Sequence, residues 1–312
     1  MWGNALGWFI SLLIVVATAT GLVFFQRHLA DLTPTTDLVG DPMMLAPLAL
    51  PVSPESVVAP RDACDAGPIY RQAIERVLAD RDAYERFAAD GRGSEEAKGL
   101  AAIELLVSAR PCSRMSLFST APSEVVSYGN KPELQALRAA GLCAVRLGLL
   151  LTRENKPDEA LNYHEAAFAL GARLYEERLV MDELLVGLEL MSGAARAMGE
   201  RNPQAQSFLS GYQEYDRARL QPLRRAIGSI DPGVIATHSG DVFHIARHAK
   251  ERLWRVEAIL KLGRMRFNAA RLADQQAATR ALEELSDDAD PVIRAAANAA
   301  RSLTIQQYRM LG

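Results

Sequence analysis

The sequence predicts an all-α protein, in which an N-terminal transmembrane helix is followed by an α-solenoid-like array of helical hairpins. Three observations support this fold class. Residues 5–25 are apolar, carry no charge and are long enough to cross a bilayer as a helix. The rest of the chain is rich in Ala, Leu, Arg and Glu, a balance that favours helices. No segment shows sustained period-two alternation, so we expect essentially no sheet.

The chain divides into three predicted parts. Residues 1–25 form a transmembrane anchor, residues 26–66 a proline-rich linker, and residues 67–312 a helical repeat-like domain. An uncleaved anchor is favoured because no Lys or Arg precedes Arg27, whereas signal peptides begin with basic residues. A cleaved signal remains an alternative, because Ala17-Thr18-Ala19 offers a small-x-small site. A third alternative is that this apolar run is a buried core helix.

Charge bears on the compartment and on the partners. The net charge of −3 gives no general attraction to nucleic acid, so we expect no nucleic-acid partner. Arg27 lies on the C-terminal side of the apolar run and mildly favours a cytoplasmic body. An N-terminal anchor before one large domain is more typical of export. We therefore expect a single-pass membrane protein whose body is periplasmic or extracytoplasmic.

Prolines, glycines and capping residues set the predicted element boundaries. The six prolines between residues 34 and 60 exclude regular helix from the linker. The predicted helices, in chain order, cover 68–90, 94–109, 132–153, 157–198 with a break near Tyr175–Glu176, 203–221, 242–262, 271–285 and a last one from Pro291. Residues 111–131 and 228–240 are predicted to be loops. Long loops in compact domains are often functional.

The three cysteines differ in their predicted surroundings. Cys64 and Cys112 lie outside the predicted helices and could form a disulfide in an oxidising compartment. The alternative is two free loop thiols. Cys143 lies on an apolar helix face and is most simply a small buried hydrophobe. No Cys-x-x-Cys occurs, which gives no support to a redox motif or a zinc knuckle.

Residues 144–170 resemble one tetratricopeptide repeat. The family's small-residue signature falls on Leu147-Gly148, Ala160 and Ala167. The sequence departs from the family's aromatic positions at Ala144, Leu151 and His164. Residues 290–300 resemble the second helix of a HEAT-type repeat. These resemblances imply a solenoid and a protein-interaction role, and an irregular helical bundle is the alternative.

A histidine cluster is the most suggestive candidate for chemistry. His244 and His248 are one helical turn apart, so that their imidazoles could share a metal ion, with Asp241 as an oxygen ligand. The competing interpretation is a solvated helix face. The helical zinc-protease motif is absent because no Glu follows His244.

The same region offers a candidate partner surface. Phe243, Trp254 and Arg247 could anchor a partner, although a neighbouring helix could instead cover the aromatic rings. Basic residues cluster nearby, between Arg247 and Arg266. No phosphate-binding loop, nucleophile elbow or paired-carboxylate motif occurs, so we expect no cofactor and no enzyme activity. The predicted function is a protein-interaction scaffold anchored in the cell envelope. The alternative is a metal-binding protein or a metal-dependent enzyme that uses the His244/His248 face.

Overall fold

The computed structural model describes residues 48–117, 132–221, 239–269 and 271–310. These residues confirm the all-α fold class. Their α-helices are α1 (Gly67–Ala79), α2 (Arg81–Asp90), α3 (Ala101–Ala109), α4 (Pro132–Arg153), α5 (Pro157–Glu177), α6 (Met181–Met198), α7 (Pro203–Tyr215), α8 (Ser239–His248), α9 (Arg252–Asn268), α10 (Leu272–Leu285), α11 (Pro291–Ser302) and α12 (Ile305–Met310). The predicted anchor, the linker before residue 48 and most of both predicted loops lie outside the described residues.

Helix α4 is the centre of an N-terminal unit. It packs against α1, α2, α3, α5 and α6, and α7 packs on α6. The α5–α6 pair is unusually close, because a Cβ at Gly187 would stand 2.8 Å from the carbonyl oxygen of Gly171. Glycine at both positions lets the two backbones touch. The core of this unit is therefore built from helices in contact on several sides.

Helix α9 organises a C-terminal unit with α8, α10 and α11. Three ion pairs connect elements of this unit: Arg247–Glu284 at 2.6 Å, Arg252–Asp290 at 2.8 Å, and Arg255–Asp288. The side chain of Asp290 also caps α11 by accepting from the backbone N–H of Val292 at 2.9 Å. Three basic residues of the cluster seen in the sequence are thus neutralised within the unit.

A short two-stranded parallel sheet is the exception to the expectation of essentially no sheet. Strand β1 (Asp62–Asp65) pairs with β2 (Cys112–Arg114), with Asp62 opposite Cys112 and Asp65 opposite Arg114. Strand β1 has four residues whose burial does not alternate, and β2 has three residues, so neither produces a period-two pattern in the sequence. The sheet brings together the two segments that flank α1, α2 and α3.

Three predicted helices are interrupted. The helix expected over 68–90 is divided between α1 and α2 at Asp80, whose backbone leaves the helical region with φ −146° and ψ 57°. The helix expected from Ser94 begins as a 3₁₀ turn (Ser94–Ala97), and α3 starts only after Gly99, which has a φ of +96°. Ser94 does not cap this segment; its hydroxyl donates to Glu154 at 2.7 Å.

The third interruption separates α8 from α9, where the sequence predicts one helix over 242–262. Glu251 is extended, with φ −79° and ψ 125°. Its carboxylate accepts from the backbone N–H of Leu48 at 2.7 Å and pairs with Arg178 at 3.3 Å. At this break Glu251 contacts residues that are distant in the sequence. Local periodicity cannot reveal such contacts.

Candidate functional site

An open apolar groove runs along α4, where α2 covers only one side of it. Its volume is about 410 Å³, and the lining residues are Glu85, Ala88 and Ala89 of α2 with Gln135, Arg138, Ala139, Leu142, Val145, Arg146 and Leu149 of α4. The α4 residues recur at intervals of three and four, so they share one helix face. Leu149 is 37% exposed, which is high for a large apolar side chain in this fold. The groove is the open face of an otherwise covered helix.

The composition of α4 follows from its central position. Among the described residues it is the one helix that is long and apolar enough to cross a membrane, with a mean hydropathy of 1.5. Neighbouring helices nevertheless bury 67% of that stretch, as expected for a core helix. Its exposed side keeps Leu142, Val145 and Leu149 at helical spacing. An apolar stripe that the fold leaves open is typical of a binding surface.

Two arginines line the groove, and within the described part of the chain only one of them has its charge neutralised by an ion pair. Arg138 forms a bidentate pair with Glu189, with both N–O distances at 2.6 Å, and this pairing raises the pKa of Arg138. Arg146 instead donates from Nε to the carbonyl oxygen of Gly91 at 2.8 Å, which satisfies the backbone at the end of α2 without supplying a negative charge. The Arg146 guanidinium therefore leaves a net positive charge beside the apolar floor.

The predicted metal ligands are only partly brought together. The rings of His244 and His248 lie side by side on α8, with their centroids 4.8 Å apart. His244 is half-buried and His248 is exposed. Asp241 belongs to the same helix but lies outside the residues whose side chains are described. Across the described ranges, no group of three His, Cys, Asp or Glu residues is arranged to hold a metal ion.

The predicted partner surface is not assembled as one patch. Trp254 is only 3% exposed and belongs to the core of the C-terminal unit, so neighbouring residues cover it. Phe243 is half-buried on the other side of the break, on α8. Arg247 lies over the Phe243 ring at 6.0 Å and pairs with Glu284. The tryptophan is therefore not available as a surface anchor in this fold.

Cys64 and Cys112 form a disulfide, with their Cα atoms 4.6 Å apart. The bridge joins strands β1 and β2, and the buried Arg173 also donates to the carbonyl oxygen of Cys112. Cys143 is free and fully buried, and burial raises the pKa of its thiol to about 12. It therefore behaves as a small core residue and is protected from thiol chemistry.

Sequence reasoning missed a polar joint between the two helical units. The chain leaves α5 at Arg178, whose guanidinium stacks 4.5 Å from the Tyr175 ring centroid and contacts the Glu251 carboxylate. Both Tyr175 and Arg178 donate to the carbonyl oxygen of Leu48 at 3.1 Å. The Glu257 carboxylate of α9 accepts from the backbone N–H of Met181 at 2.7 Å. The only sequence signal for the joint was the break near Tyr175.

Comparisons with protein families, with curated proteins and with solved structures found no match.

Proposed function

We propose that this chain is a membrane-anchored helical protein that binds a partner protein through the groove between α2 and α4. The observation that carries the proposal is the groove itself. Its apolar floor on α4 runs from Ala139 to Leu149, and charged side chains of α2 and α4 border it. This combination of a desolvatable centre and a polar rim is the usual anatomy of a protein interface.

The anchor and the compartment belong to the same proposal. The apolar run 5–25 would hold the body at the membrane. The 22 residues between it and Leu48 reach at most about 75 Å when fully extended. The Cys64–Cys112 disulfide supports an oxidising, extracytoplasmic location, because disulfides persist mainly in such compartments.

The proposal also includes a helical-repeat architecture for the body. In the α4–α5 hairpin, a Cβ at Gly148 would clash with the His164 ring and lie 3.0 Å from the Ala160 carbonyl oxygen. Glycine at this position therefore permits close packing of the two helices, as the small-residue signature of tetratricopeptide repeats does. Solenoids of this kind present extended surfaces to partners.

A site-specific crosslinking experiment in intact cells tests the interaction. A photoreactive residue at position 149 should capture a defined partner, whereas the same residue at position 272, where Leu272 is 66% exposed on α10, should not. Leu149→Asp should abolish co-purification of that partner, and Leu272→Asp is the matched control. Equal capture from both positions, or equal retention by both variants, would contradict an interface in the groove.

The second candidate function is metal binding by His244 and His248, and its support is the proximity of the two rings. Titration of the full chain with zinc should then show one site. That site should disappear in the His244→Ala, His248→Ala double variant. Equal zinc affinities for the two proteins would end this hypothesis.

A further inference from the structure

The dimensions of the groove select a helical occupant. From Gln135 to Leu149 the lining of α4 extends over about 21 Å, at 1.5 Å per residue, which equals about four helical turns. The centre is lined by the small side chains of Ala88, Ala89 and Ala139. Small residues allow a third helix to approach α2 and α4 at an ordinary interaxial distance. An amphipathic helix fills such a groove with residues at intervals of three and four.

The charged residues on the open face of α4 indicate which charge a bound partner should carry. Glu85 is paired with Arg81 at 2.6 Å, and Arg138 is paired with Glu189, so these two positions are neutral overall. Arg146 donates to a carbonyl oxygen and forms no ion pair within the described part of the chain. Arg153 lies seven residues further on the same helix face, one helical turn beyond Leu149, the last residue that lines the groove. It is exposed and has no ion pair among the described residues either.

We propose that the groove binds an amphipathic helix of a partner protein whose apolar face is flanked by acidic residues seven positions apart. This inference rests on the proposed function, because it names the partner class for the same groove. Arg146 and Arg153 are separated by about 10.5 Å along α4, or two helical turns. Two carboxylates at the same spacing on the bound helix would pair with both guanidinium groups.

A displayed library of helical peptides tests both charge and geometry. Each peptide of about 18 residues carries fixed apolar residues at intervals of three and four, and its flanking positions vary among Glu, Gln, Ala and Lys. The full chain in detergent serves as the target. We expect enrichment of Glu pairs seven positions apart, and peptide affinity should fall as salt rises from about 0.1 to 0.5 M.

Charge-reversed variants identify the recognising arginine. Arg153→Glu should weaken a selected acidic peptide by about fivefold, and selection on this variant should enrich Lys at the facing position. Arg280→Glu, an exposed substitution on α10, is the matched control and should change neither result. Arg146 holds the end of α2, so the test relies on Arg153 and uses Arg146→Gln only as a secondary comparison.

The outcomes separate this inference from the proposed function. Peptides that bind wild type but not Leu149→Asp, yet show no acidic enrichment, would overturn the acidic-helix inference and leave the groove as an interface. Absence of any groove-dependent peptide would overturn both. Self-association of the chain that Leu149→Asp abolishes would instead identify a second copy as the occupant, and would also overturn the inference.

Discussion

Reduction of the Cys64–Cys112 disulfide should lower the free energy of unfolding by about 4 kcal/mol. The bridge joins residues with a sequence separation of 48, and the loop contains α1, α2 and α3. For a loop of this size the closure relation gives an entropy loss of about 14 cal/mol/K in the unfolded chain, equivalent to about 4 kcal/mol at 25 °C. Reduction leaves more freedom to the unfolded chain and therefore favours it.

The folded state should keep its geometry after reduction, because other contacts already hold the two segments together. The backbone N–H of Ala66 donates to the carbonyl oxygen of Arg114 at 2.9 Å, and Asp65 accepts from the N–H of Ser116 at 2.9 Å. The cost should therefore appear as lower stability with an unchanged helical spectrum. For a domain of this size the thermal midpoint should fall by roughly 8–16 °C.

Urea unfolding of the full chain in detergent, with and without dithiothreitol, measures this difference. A thiol titration supplies the control: the unreduced, denatured chain should show one thiol, Cys143, and the reduced chain three. A stability change below about 1 kcal/mol would refute the loop-closure argument. Three thiols in unreduced protein isolated from its native compartment would remove the main support for an extracytoplasmic body.

Three further predictions concern packing, titration and capping. Gly187→Ala should destabilise the protein by about 1–3 kcal/mol, because the added Cβ would press on the Gly171 carbonyl. Gly193→Ala on the same helix should stabilise the protein by up to about 1 kcal/mol, because no packing neighbour among the described residues lies within 4 Å of the added Cβ. Chemical denaturation compares the two, and equal effects would contradict close α5–α6 packing. Burial raises the pKa of Glu257 above its ordinary 4.5, so the folded state keeps the proton to higher pH than the unfolded chain does. The stability of wild type relative to Glu257→Gln should therefore decline as pH rises above 4.5, and a pH-independent difference would exclude this linkage. Asn202→Ala should cost about 1 kcal/mol in the same assay, because the Asn202 side chain accepts two backbone N–H groups at the start of α7, and an unchanged midpoint would show that solvent replaces the cap.

Local chemistry made most helix boundaries predictable. Proline and the residues before it mark the starts of α4, α5, α7 and α11, and the helices begin at the expected positions 132, 157, 203 and 291. Periodicity also placed Cys143 on the buried side of α4, where it is fully covered. These features depend on residues within one or two turns of each other. Sequence alone is sufficient for such features.

The groove and the joint depend on which helices meet, and the sequence did not encode that in a local pattern. Leu142, Val145 and Leu149 have the same apolar character as the buried face of α4, so periodicity could not show that one side remains open. The break before α9 coincides with contacts between Glu251 and residues that are 73 and 203 positions away. Local patterns therefore indicate a site around His244, whereas the packing of whole helices creates the open groove on α4.

The position at which the linker attaches to the body bears on how a partner could bind. Leu48 is buried at the joint, and a Cβ at Gly211 would lie 3.4 Å from Pro51, which shows that the chain continues along α7. Asn202 then donates to the carbonyl oxygen of Val57 at 3.2 Å. None of these linker residues lines the groove, whose walls, within the described ranges, come from α2 and α4. A partner helix can therefore occupy the groove while the described part of the linker keeps its contacts, so partner binding is compatible with the proposed membrane anchor.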